Sequence, residues 1–256
     1  MSHVVQETTF GQALCLHTDE GICGLGEVVP APALDPKQRL AHYSETATLL
    51  PELIGQSEDQ LHALIEQIQK KDPSWNGIAF GLETAYYDLL ARQSGLPFAD
   101  MLGGALDTSI DDYFSISEEQ ADCVRQRVSM AGPQRNVIQL KVGVYSLQHE
   151  LGLIKTALDL MQDSQTLLVD ANGGWSFAQA SEAIREIKDP RLIWEEPCGL
   201  YEDNRKLIEI FDTQLLLDGQ TSTDFDTARQ AIQDCVATGI CIKPALIGGL
   251  STARQV

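Results

Sequence analysis

What this sequence lacks first is positive charge. Lysine and arginine total 18 against 37 aspartates and glutamates, a formal net charge of −19. A nucleic-acid-binding chain needs a basic face for the phosphates, so DNA and RNA are not expected partners. Long apolar runs are also missing: none approaches the roughly 20 residues that span a bilayer. No charged-then-apolar signal segment opens the chain. A soluble, cytoplasmic protein with no membrane partner is expected. Histidine is scarce, and His3, His17, His42, His62 and His149 are scattered outside any ligand motif, as surface residues would be. Six cysteines (Cys15, Cys23, Cys123, Cys198, Cys235, Cys241) form neither a CxxC pair nor a paired zinc spacing. That is the pattern of reduced cytosolic thiols.

What is present is an ordinary globular composition, in a chain of 256 residues. The length suits one large α/β domain, or a barrel with a small partner domain. In "GQALCLHTDEGICGLGEV" two β-like runs, Ala13–Thr18 and Ile22–Leu25, flank the turn residues Asp19, Glu20 and Gly21, which predicts a hairpin. Helical patterns follow in "RLAHYSETATLLPELI", "LHALIEQIQKK" and "WNGIAFGLETAYYDLLARQSG", the last stopping at Ser94-Gly95. Residues 1–105 therefore read as a small α+β domain, and 106–256 as a second domain. In the second, β-like runs and helices alternate: "IDDYFSI", "NVIQLKV", "TLLVDA", "RLIWEE", "QLLLD" and "GICIK" each lead into a helical stretch. Six such units give a parallel sheet or a (β/α) barrel. A closed barrel of this kind needs eight, so periodicity alone leaves an open doubly wound sheet and a fragment of a barrel equally open.

The strand ends carry the chemistry. In "VIQLKV" alternation puts Ile138, Leu140 and Val142 on one face, with Gln139 and Lys141 on the other. The same alternation pairs Leu168 with Asp170, Ile193 with Glu195, Leu216 with Asp218 and Cys241 with Lys243. Five consecutive strands thus end in Lys141, Asp170, Glu195, Asp218 and Lys243, at the C-terminal edge where α/β folds hold their active sites. A single charge there would usually just reach water; five in register are not explained by packing.

Three converging carboxylates repel one another unless a cation neutralises them. Hard oxygen ligands suit Mg²⁺ or Mn²⁺ better than Zn²⁺. A lysine beside such a cation and a second lysine can serve as a general base. Metal and base together meet the needs of removing a proton next to a carboxylate.

The chain resembles the enolase superfamily in its mandelate racemase/muconate lactonizing branch. The matching pieces are "GICGLGEV", "AFGLETAYYDLLARQSGLPFADMLGG", "LKVG", "LLVDANGGW", "IWEEP", "LLLD" and "CIKPALIGGLSTAR". The resemblance implies an N-terminal α+β capping domain and a modified (β/α) barrel, of which about six units are present. It implies Asp170, Glu195 and Asp218 as Mg²⁺ ligands, with Lys141 and Lys243 as acid/base residues on opposite sides of the substrate. The implied reaction removes a proton α to a carboxylate to give an enediolate, leading to racemisation or epimerisation, dehydration or cycloisomerisation. The substrate implied is a small carboxylic or amino acid; "VDANGGWS" with "EEPC" is most similar to members acting on hydroxyprolines. A homo-oligomer is expected.

Two departures stand out. Gln139 occupies the place of the first lysine of the family's Lys-x-Lys, and Gly219 that of a glutamate after the fifth strand's aspartate. The family's opening segment and last two barrel strands also have no counterpart, so a fragment is expected. A degenerate member that binds metal or a partner chain without catalysis is the alternative. Trp175 and Trp194 are expected to pack, and Cys198 to approach the site without acting as a nucleophile. Glu196 is expected either to meet a ligand or to face outward, and "VVPAPAL" to form a specificity loop over the barrel mouth.

Overall fold

The computed structural model describes residues 11–29, 36–107, 109–110, 112–235 and 237–256. The expected specificity loop falls largely on residues 30–35, and His3 and the His42 side chain likewise lie outside the described residues. The chain divides into two compact units. Of the described residues, one unit holds Ser109–Cys241, and the other holds those before Ser109 together with Ile242–Val256.

Among its described residues the second-named unit begins with the expected hairpin, β1 (Gln12–His17) against β2 (Cys23–Val28), antiparallel. Helices α1 (Pro36–Leu53), α2 (Glu58–Gln69) and α3 (Asn76–Ser94) follow, then the short α4 (Phe98–Met101). A capping box between Ser57 and Gln60 starts α2, and Gly95 in the left-handed region ends α3. Leu14 and Val28 bury one face of the hairpin against Ile78, Leu82 and Ala85 of α3. The approach is close because β2 carries glycine there: a Cβ at Gly26 would stand 2.9 Å from Ala85 N. Later in the chain, α11 (Pro244–Ile247) and α12 (Leu250–Gln255) also belong to this unit. Asn76 Nδ2 donates to Leu246 O at 2.6 Å, and the buried Glu83 carboxylate accepts from Ser251 N at 3.2 Å.

The other unit is a parallel sheet in strand order β3 to β8. The strands are β3 (Tyr113–Ile116), β4 (Val137–Lys141), β5 (Thr166–Asp170), β6 (Leu192–Glu195), β7 (Leu215–Leu217) and β8 (Gly239–Ile240). Helices α5 (Ala121–Ala131), α6 (Leu147–Leu160), α7 (Phe177–Glu186), α8 (Tyr201–Phe211) and the pair α9 (Gly219–Thr223) and α10 (Phe225–Asp234) make the crossovers. Ile138, Leu140, Leu167, Val169, Trp194, Leu215 and Leu217 are buried in one apolar core with side chains of α5 to α8. Burying about 100 Å² of such a side chain contributes roughly 2–3 kcal/mol, so this layer holds the sheet against its helices. Trp175 and Trp194 meet edge to face inside it, their centroids 5.9 Å apart, as packing residues.

The sixth strand corrects the expectation. It covers only Gly239–Ile240, whereas the alternation in "GICIK" predicted a strand reaching Lys243. Lys243 instead caps α11 just before Pro244, whose ring favours an extended residue ahead of it.

Candidate functional site

Parallel register aligns the strand ends into a row. Lys141 pairs with Asp170, Asp170 with Glu195, and Glu195 with Leu216. One step down, Ser115 pairs with Gln139 and Gln139 with Leu168. Side chains of one row share a face, so Lys141, Asp170 and Glu195 stand side by side. Asp218, two residues beyond Leu216, follows β7 and precedes α9.

Contacts among these groups are direct. The Lys141 ammonium pairs with Asp170 Oδ2. Gln139 Nε2 donates to Asp170 Oδ2 at 3.2 Å and to Glu195 Oε2 at 2.8 Å, while Ser115 Oγ donates to Gln139 Oε1 at 3.0 Å. Asn172, in the left-handed region at φ 47°, donates its backbone N–H to Asp170 Oδ1 at 2.8 Å. On the far side, Cys241 N donates to Leu217 O at 2.7 Å, which brings Cys241 Sγ within 3.5 Å of Glu195 Oε1. Carboxylate oxygens of Glu195 and Asp218 and the Cys241 sulfur lie within 4.8 Å of one another. Of the sequence-predicted set, the structure brings together Lys141, Asp170, Glu195 and Asp218; Lys243 belongs to the other unit.

Residues around this row complete the arrangement, among them Glu150 and Asn204, which carried no signal in the sequence. Glu150, fully buried on α6, accepts from Val144 N at 2.6 Å, Tyr145 N at 2.8 Å and Trp175 Nε1 at 2.7 Å. It thereby ties down the turn that follows Lys141. Glu196 is buried and sits at φ 39°, so it does not face outward. Its carboxylate accepts from Gln220 N at 3.3 Å. Cys198 is a core residue, and Asn204 clamps its peptide: Cys198 N donates to Asn204 Oδ1 at 2.9 Å and Asn204 Nδ2 to Cys198 O at 2.7 Å. A cavity of about 610 Å³ opens at the other end of β6, lined by Lys188, Asp189, Pro190 and Leu192, away from these groups.

Residues 119–256 match the family model "Enolase C-terminal domain-like", and residues 2–103 match "Mandelate racemase / muconate lactonizing enzyme, N-terminal domain". The chain belongs to the mandelate racemase/muconate lactonizing branch of the enolase superfamily. It is 28% identical over 249 residues to a cis-3-hydroxy-L-proline dehydratase of Roseibium aggregatum, covering 93% of this chain and 65% of that protein. To the L-Ala-D/L-Glu epimerase of Bacillus subtilis it is 26% identical over 250 residues, covering 93% of this chain and 66% of the relative. A solved enolase-superfamily member from Roseovarius nubinhibens complexed with magnesium shares the fold, with a TM-score of 0.83 at 24% identity over 96% of this chain and 67% of that one. Beside the first two relatives, then, this superfamily chain spans just under two thirds of their length.

The residues of this enolase-superfamily chain fit a hard divalent cation. Asp170, Glu195 and Asp218 are 1%, 4% and 7% exposed, and the Lys141 ammonium pairs with Asp170. Burial, and then the Asp170 charge, hold the Glu195 carboxyl above its ordinary value, with Gln139 and Lys141 opposing the shift. Burial likewise raises Glu196, against hydrogen bonds from the Gly219 and Gln220 backbone. Crowded, buried oxygen donors with excess negative charge are what such a cation relieves.

Proposed function

We propose that this chain carries the metal- and proton-handling part of an enzyme that removes a proton α to a carboxylate. The observation that supports it is the row Lys141–Asp170–Glu195 on adjacent strands, with Asp218 beside it. Asp170, Glu195 and Asp218 would hold one Mg²⁺, Mn²⁺ being compatible with the same donors. When bound, the cation supplies positive charge against the negative charge that develops on the substrate carboxylate. Lys141, at the end of β4 with its side chain 33% exposed, would exchange the proton. Lys243 is assigned the second acid/base role from its sequence motif alone.

Gln139 contributes no charge. It holds Asp170 and Glu195 by donating one amide N–H to each, so the two carboxylates keep a fixed spacing. The reaction class is racemisation or epimerisation, dehydration or cycloisomerisation. The substrate is a small amino acid or its derivative, with a proline-like ring first among candidates because of the hydroxyproline dehydratase relative. The domain division at residues 105 and 106 assigns metal and base to the second part.

The test is α-proton exchange in D₂O with Mg²⁺, using cis-3-hydroxy-L-proline and L-Ala-L-Glu as probes and NMR as readout. Exchange that disappears in Lys141→Ala supports the assignment. Exchange that persists in that variant sinks it. Mg²⁺ binding without exchange of either probe or a wider acid library favours a metal-binding, non-catalytic member, which Gln139 and Gly219 at the family's charged positions would suit.

A further inference from the structure

We propose that the β1–β2 hairpin carries a second metal site, for Zn²⁺, built from Cys15, His17 and Cys23. Sulfur atoms of both cysteines and a ring nitrogen of His17 lie within 4.8 Å of one another. The hairpin register explains this. His17 pairs directly with Cys23, and Cys15 pairs with Leu25, two residues along. Thr18 N donates to Ile22 O at 3.0 Å, so the next pair, His17 with Cys23, is non-hydrogen-bonded, where opposed side chains come closest. Leu25 N agrees with this alternation, since it donates to Asp88 Oδ2 at 2.8 Å and not to β1.

Leu14 and Val28 point from the hairpin's other face toward α3. Alternation therefore sends Cys15, His17 and Cys23 to the opposite face together. Cys15 and His17 are exposed there and Cys23 is half-buried, so a cation has access. A disulfide is the less suitable link. Diagonal positions in an antiparallel pair have Cα atoms roughly 7–8 Å apart, beyond the usual ~4.4–6.8 Å of a disulfide. Two metal–sulfur bonds of about 2.3 Å bridge such a pair without moving the backbone.

The donor set chooses the ion. Two thiolates and one imidazole suit Zn²⁺ and exclude Mg²⁺, which takes oxygen ligands. Three protein donors leave a fourth tetrahedral position for water. Binding displaces a proton from each thiol, and those protons go to solvent.

The test uses the reduced, metal-stripped chain, titrated with Co²⁺ as a spectroscopic stand-in for Zn²⁺. A thiolate-to-cobalt charge-transfer band that saturates at one ion per chain and is displaced by Zn²⁺ is expected. Cys15→Ser and Cys23→Ser should each lose the band, and His17→Ala should lose it or weaken it. Cys241→Ser should keep it, which separates the hairpin from the thiol beside Glu195. Far-ultraviolet circular dichroism of each variant reports whether the fold is intact. Absence of the band in the folded wild-type chain, its survival in both hairpin cysteine variants, or its loss in Cys241→Ser overturns the proposal. So does a Cys15–Cys23 disulfide that forms readily in a chain whose reduced form takes no Co²⁺.

Discussion

Glu196 and Gly219 share one space. A Cβ at position 219 would stand 2.9 Å from Glu196 Oε2 and 3.0 Å from its Oε1. The Glu196 carboxylate lies there because Gln220 N, at the start of α9, donates to it at 3.3 Å. The glycine that looked like a lost carboxylate thus makes room for the carboxylate of the neighbouring strand.

Gly219→Ala should therefore destabilise the chain by about 1–3 kcal/mol, the usual range for inserting a methyl group into a packed site. Glu196→Ala removes the obstructing group, so the double variant should lose less than the sum of the two single losses. Urea denaturation of the four proteins measures this coupling. Strict additivity would show that the two residues do not compete for the same space.

Gln139→Leu tests the amide that spaces the carboxylates. The substitution preserves the buried volume approximately, but it strips one donor from Asp170 and one from Glu195. Leaving buried acceptors short of donors costs about 1–3 kcal/mol. If those carboxylates hold a cation, adding Mg²⁺ should recover more stability in the variant than in the wild type. Denaturation midpoints with and without Mg²⁺ decide it, and an equal Mg²⁺ effect in both proteins would count against the shared cluster.

Much of this site was legible because strand alternation has a period of two. Gln139 and Lys141 were separable from Ile138 and Leu140 by counting, and the parallel crossovers then fixed Lys141, Asp170 and Glu195 in one row. The last strand was not legible, because β8 is only two residues long and the chain leaves the ladder before Pro244. Glu150 left no periodic signal either: its partners are two loop amides and an indole from another βα turn. Cys15, His17 and Cys23 show no ligand spacing along the sequence. Only the hairpin register brings them together.

Cys198 should be the slowest thiol to react. Burial, and then Asp203, push its thiol from an ordinary 9.0 up to about 11. The folded state holds this proton more tightly than the unfolded chain. Its contribution to stability is therefore fully present below the unfolded value, and is lost as pH rises through about 11. Alkylation of the native chain at about pH 8 should label the exposed Cys15 and Cys235 first and leave Cys198 unlabelled until denaturant is added. Early labelling of Cys198, read by peptide mass spectrometry, would contradict its place in the core.

Glu150 gives the most specific prediction for the turn behind Lys141. Both of its oxygens are used, one by Val144 N and Tyr145 N and the other by Trp175 Nε1. Glu150→Gln replaces one oxygen with an NH₂ group, which cannot accept, so at least one donor loses its partner whichever way the amide turns. The expected cost is about 1–3 kcal/mol, and Glu150→Ala should cost more because it orphans all three donors and opens a void. Hydrogen exchange localises the effect: the Val144 and Tyr145 amides should exchange faster in Glu150→Ala, while strand amides such as Leu167 and Trp194 change only as global stability does. A uniform acceleration across the sheet would make Glu150 a general core residue. Acceleration confined to the turn and the Trp175 indole would make it the group that holds the Lys141 strand end in place.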